Sequence, residues 1–157
     1  MKKSLLYLFA LICSMGIFTA CSDDDELTMS QVIETELAGT YAGTLNITSN
    51  GMPIGAPTDQ NILLSKSSSS TDALKLELKD FSFIPDMPFD ITVEPCVVTK
   101  SGDEYAFEGS QEVAVPGLGS FPVSVEGTTD GKNVEITIVV SNVPAFNTVN
   151  VSFTGVK

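Results

Sequence analysis

The side chains of this 157-residue chain that could do chemistry are twenty acids, eight lysines and three thiols, because histidine, arginine and tryptophan are absent. Without histidine there is no Ser–His or Cys–His nucleophile pair, no imidazole base and no His-bearing zinc site. Without arginine there is no guanidinium clamp for phosphate, and a formal net charge of −12 repels a nucleic-acid backbone, so no nucleic-acid partner is expected. The carboxylate pairs Asp86 with Asp90 and Asp103 with Glu104 have the residue types for acid–base work at a glycosidic bond. Both fall at expected turns and strand ends, where a solvated acid is the ordinary interpretation. Cys96 lies among apolar neighbours in Val93-Glu94-Pro95-Cys96-Val97-Val98, the setting of an inert small hydrophobe. The glycines are scattered through turns with no phosphate loop, so no cofactor, no metal and no catalytic residue are expected, and the chain does not read as an enzyme.

Cys21 has a more definite task. Lys2 and Lys3 precede an apolar run from Leu5 to Ala20, shorter than the ~20 residues a membrane-spanning helix needs, so residues 1–20 read as a cleaved signal peptide. Phe18-Thr19-Ala20-Cys21 resembles the bacterial lipobox, with Phe18 where Leu is usual. The resemblance implies cleavage between Ala20 and Cys21, lipidation of the Cys21 thiol and acylation (palmitate or a similar chain) of the new N-terminus. Acyl chains at ~0.8 kcal/mol per buried CH2 would then hold the protein on a bilayer.

Ser22-Asp23-Asp24-Asp25-Glu26 follows at once, a run of like charge that must stay solvated. It lacks the alternating spacing and glycine of a calcium loop. It is similar to the Ser-plus-acidic signal that sends lipoproteins of the Bacteroidetes to the cell surface, which implies an outer-membrane protein facing the exterior. Residues 21–36 are expected to be a lipidated tether, within which Thr28-Met29-Ser30-Gln31 fits a capping box and opens a turn or two of helix up to Leu37. With Cys13 removed and Cys21 lipidated, Cys96 has no partner for a disulfide, so burial alone must hold the domain together.

From Gly39 onward the apolar spacing is two, and turn residues recur about every dozen positions. Asn50-Gly51 and Asp130-Gly131 are tight-turn dipeptides, and Ser67 to Asp72 reads as a flexible polar loop. Leu74, Leu76 and Leu78 alternate with charged residues before the apolar phase switches to Phe81 and Phe83, which predicts a bulge near Lys79-Asp80. About eight strands joined by short links predict an all-β fold, a single antiparallel up-and-down barrel over residues 37–157. An eight-stranded barrel has room either for packed side chains or for one small ligand.

Gly39-Thr40-Tyr41-Ala42-Gly43-Thr44-Leu45, with the strand rhythm after it, resembles the calycin-like β-barrel lipoproteins of the Bacteroidetes. Gly39-Thr40-Tyr41 is also similar to the Gly-x-Trp opening of lipocalins, whose pattern adds an Arg packed over the Trp; this chain has none. The resemblance implies a calycin-like barrel and names no reaction. Tyr41, Phe81, Phe83, Phe107, Phe121 and Phe153 are the candidate lining for a small apolar or amphipathic ligand at the barrel mouth, if they face inward. Otherwise they fill a closed barrel that acts as a protein or glycan interaction module through loops such as Ile84 to Phe89 and Pro116 to Phe121.

Overall fold

The structure, a computed structural model, describes residues 27–157. The expected signal peptide, Ala20 and Cys21, and the acidic run Ser22 to Glu26 lie outside the described residues. A four-residue helix α1 (Met29–Val32) runs into one π turn (Ile33–Leu37). Nine strands follow: β1 (Gly39–Ser49), β2 (Met52–Pro53), β3 (Thr58–Lys66), β4 (Ala73–Phe81), β5 (Phe89–Ser101), β6 (Glu104–Val115), β7 (Gly119–Thr129), β8 (Asn133–Val143) and β9 (Asn147–Val156). Each long strand pairs antiparallel with the next, and β1 pairs with β9, which closes an eight-stranded up-and-down barrel. The two-residue β2 pairs only with the end of β1.

The sequence reasons for these strands hold locally. On β8, Val134, Ile136, Ile138 and Val140 point inward and are buried, while Glu135 and Thr137 face out. Asn50 and Gly51 both take positive φ, 52° and 78°, between partners Ser49 and Met52, as a type I′ turn requires. Asp130 accepts hydrogen bonds from the backbone N–H (2.6 Å) and side-chain amide (2.9 Å) of Asn133 and from the backbone N–H of Lys132 (2.8 Å), which lower its carboxyl pKa to about 2. The expected bulge is present: Leu78 pairs with Ile91 and Phe81 with Phe89, leaving an extra residue on β4, and Asp80 sits there at φ 54°. A second bulge places the extra residue on β5, at Glu94-Pro95.

One end of the barrel, the base, is sealed by the segment before β1. The Thr28 capping box forms in both halves, and Val32, Ile33 and Leu37 are buried in the core. The folded unit therefore begins before Leu37 and includes part of the stretch expected to be tether; the (i, i+4) pair Ile33 and Leu37 supplies its apolar face. Tyr41 Oη donates to Leu37 O at 2.9 Å inside the core. Lys157 lays its Nζ 5.7 Å from the centre of the Tyr41 ring and donates to the carbonyls of Glu36 and Ala38. A lysine thus stands where the lipocalin pattern has its Arg. Ser67, expected in a flexible loop, is 5% exposed, with its N–H on Ala73 O and its Oγ on Glu94.

Packing leaves a visible trace at Gly127. A Cβ there would lie 2.3 Å from Phe107 Cζ, so the missing side chain is the space in which that ring sits. Gly127→Ala is expected to destabilise the fold by about 1–3 kcal/mol, because the buried Phe107 ring must shift to admit the added Cβ. Urea unfolding checks this; an unchanged midpoint would show that the ring moves freely.

Candidate functional site

All six candidate rings face the barrel interior: Tyr41, Phe81, Phe83, Phe107, Phe121 and Phe153 are each buried. They do not form one lining. Tyr41 belongs to the base, Phe107 sits over Gly127, Phe153 is the β9 partner of Leu45 and Ile136, and Phe121 pairs across from Val113. Only Phe81 and Phe83 come together, at the rim opposite the base, with ring centres 5.9 Å apart.

Two further rings complete that rim. Phe89, the first residue of β5, meets Phe81 at 5.4 Å and Phe83 at 5.7 Å, both edge-to-face, and Phe146 meets Phe83 at 5.9 Å. Sequence reasoning missed both as lining residues. Phe89 is in phase with Ile91 and Val93 and could have been found, whereas Phe146 lies in the turn between β8 and β9, where no period exists to assign it a face. That turn is held by Ser49, whose Oγ lies 3.0 Å and 2.9 Å from the carbonyls of Phe146 and Thr148. The connection from β4 to β5, residues 82–88, carries Phe83 inward and brings Met87 beside Gly117.

The wall below the rim is not uniformly bonded. β5 pairs with β6 only from Val97 to Ser101, although both strands continue upward. Above that point Glu94 N donates to the side-chain Oε1 of Gln111 at 2.9 Å instead of to a β6 carbonyl. β3 and β4 likewise pair only over Ile62–Lys66 and Leu74–Leu78, and above them Gln60 Nε2 donates to Lys79 O at 3.2 Å. The Glu94 carboxylate accepts from Ser67 Oγ (2.8 Å), Ser68 N (2.5 Å) and Ser68 Oγ (2.9 Å), which lowers its pKa. Glu94 therefore ties the β3–β4 loop, β5 and β6 to one another.

The described concavities lie on the outer wall. One of about 720 Å³ crosses β5 to β9, bordered by Val97, Glu108, Glu126, Thr128 and Glu135 and floored at Gly127. Glu108 is the direct cross-strand partner of Glu126, a like-charge pairing that costs stability. A second, of about 440 Å³, lies over Gly43 between Thr44 and Asp59. Among the described residues no group of three His, Cys, Asp or Glu side chains is placed to hold a metal ion. Of the paired acids, Asp90 is occupied within its own hairpin, accepting from Asp80 N at 3.0 Å.

A family model described as the calycin-like beta-barrel domain matches residues 37–156, and the chain belongs to that family. No curated protein and no solved structure matches it. The matched stretch holds one cysteine, Cys96, fully buried with Sγ 3.5 Å from Val93 O. Burial, reinforced by the nearby Glu94 charge, pushes its thiol up to about 11, which leaves almost no thiolate at neutral pH. Cys96 is expected to resist iodoacetamide in the folded protein at mildly alkaline pH and to react once urea unfolds it. Rapid labelling of the folded protein would show an accessible thiolate.

Proposed function

We propose that this calycin-like barrel is a lipid-anchored, non-catalytic binding module at the exterior face of an outer membrane, taking a small apolar or amphipathic molecule at its rim. The observation that carries the binding half is the contrast between the two ends. The base is closed by a helical plug, by exposed contacts of Lys157 and by the buried bond from Tyr41 Oη to Leu37 O, which a ligand could not replace without stranding buried polar groups. The rim is closed by phenyl rings against one another, edge-to-face contacts worth about 0.5–1.5 kcal/mol each. An apolar ligand can supply contacts of the same kind.

The anchoring half rests on Cys21 with its lipobox and on the acidic run Ser22, Asp23, Asp24, Asp25 and Glu26. The net charge of −12 suits a protein held beside an anionic envelope without adhering to it. A second reading is favoured by the burial of all six candidate rings and by concavities on the outer wall: a packed barrel that meets an envelope protein or glycan through its surface and loops. The absence of tryptophan weighs against glycan stacking.

Native mass spectrometry of the protein after incubation with an extract of its own cell envelope separates the two. A discrete adduct lost on unfolding is expected; a bare mass across all extracts would move the function to the outer wall. Cys21→Ala is expected to abolish acyl labelling and release the protein from membranes, and continued labelling would overturn the anchor.

A further inference from the structure

We propose that the barrel stands with its plugged base against the bilayer and its phenyl rim turned outward, so that the rim takes apolar cargo from the aqueous exterior and not from the lipid beneath it. This rests on the anchor reading above for the membrane, and on chain length and the build of the two ends for the direction. Six residues, Ser22 to Leu27, stand between Cys21 and the helix cap Thr28. Fully extended, that stretch reaches at most about 25 Å from the lipidated thiol.

The chain leaves the folded unit at a fixed place. Val32, Ile33 and Leu37 are buried in the base, and Lys66, the last residue of β3, pairs with Glu34 at 2.6 Å. Lys157, just past β9, donates to the carbonyls of Glu36 and Ala38, and Gly131 in the β7–β8 turn leaves room for Glu36 O, which would lie 3.3 Å from a Cβ there. The plug is thus held from three sides of the base. The wall above it is taller than the tether is long: β1 and β7, eleven residues each, rise ~3.3 Å per residue at a tilt of ~40°, which makes about 27 Å before the turns at either end are counted. With its exit at the base, a chain of that length cannot pass the whole barrel and bring the rim down to the bilayer.

The surface is sorted in the same direction. Among the described residues Lys66, Lys75, Lys100, Lys132 and Lys157 lie in the base half of the barrel, and Lys79 is the one lysine in the rim half. The rim half sets Asp59, Asp80, Asp86, Asp90 and Glu112 against that single cation, so an anionic envelope repels it more than it repels the base. At the base the exposed apolar side chains Leu27 and Val156 stand beside the lysines, a mixture that suits a lipid headgroup layer. The rim connections carry Met52, 69% exposed, with Ile54, Ile84, Met87, Leu118 and Phe146 half-buried. A patch of this kind marks a place where apolar matter is met, and the short tether holds it away from the protein's own bilayer. What it meets must arrive from outside.

Quenching by lipid tests the direction. The full-length lipidated protein is added to vesicles of phosphatidylcholine and phosphatidylglycerol that carry a spin label on the headgroup. One exposed residue at a time is replaced and labelled with a small fluorophore: Asp103→Cys or Lys132→Cys at the base, Glu112→Cys or Ser120→Cys at the rim. Buried Cys96 stays unlabelled in the folded protein. Loss of fluorescence is expected at both base positions and at neither rim position. Equal loss at the two ends, or greater loss at the rim, would overturn the direction. Failure of the unaltered protein to float with the vesicles would overturn the anchor reading, and the direction with it.

The route of the cargo is tested with one apolar fluorophore supplied in two ways to the anchored, unaltered protein, each read against protein-free vesicles. A free naphthylamine is added to the water; the same ring is attached to a phospholipid acyl chain and supplied within the bilayer. Enhanced fluorescence with the free probe alone supports a rim that faces outward. Equal enhancement with the lipid-borne probe overturns it, because the binding end then meets the bilayer. Binding of neither probe overturns the ligand reading, and the quenching pattern still decides the direction.

Discussion

Closure of β1 onto β9 is the constraint from which the rest of this structure follows. Eight Cα pairs, from Ala42 with Val156 to Ser49 with Val149, remove the two edges an open sheet would expose. Near the base end of that seam Gly43 faces Gly155, where a Cβ on Gly43 would overlap Thr154 O. The seam can close only with glycine there. Strand number and stagger together fix the diameter, and every inward position must then be filled by a side chain or yield to one, as Gly127 yields to Phe107.

A filled cylinder still has two ends, and the chain treats them differently. At the base the segment before β1 tucks Ile33 and Leu37 inside and leaves its last carbonyls to Tyr41 and Lys157, so the backbone groups at the end of the plug are satisfied. At the rim short turns and bulges release the strands from their neighbours, and phenyl rings cover the gap. The buried hydrogen bond of Tyr41 makes the base costly to open, while ring contacts make the rim a place where contacts can be exchanged.

Much of this was legible because period-two apolar spacing and turn chemistry are local. The capping box Thr28 to Gln31, the Asn50-Gly51 turn and the Lys79-Asp80 bulge need only a few neighbouring residues to be recognised. What escaped was long-range. Glu94 meets Ser67 and Ser68 across twenty-six or twenty-seven positions, and Lys157 reaches Glu36 across 121; no window on the sequence contains either contact. Phe146 escaped because a turn residue has no face until tertiary packing assigns one. Val32 and Ile33 were assigned to a tether because the acidic run before them continues the theme of solvation, and nothing local says that a barrel end waits to be plugged.

Filling and binding are compatible in such a barrel when part of the filling is held only by apolar contacts that a ligand can replace. Phe81, Phe83 and Phe89 form one packed unit at the rim, on strands that take no part in the closure between β1 and β9. The cost of displacing those rings is their exposure to water, an area-proportional hydrophobic penalty. A ligand offsets that penalty only by covering comparable apolar surface, which selects for molecules of the size and greasiness of the rings they displace. Polar solutes of the same size cannot do so, and selectivity for apolar cargo then follows from the cost of displacing the rings.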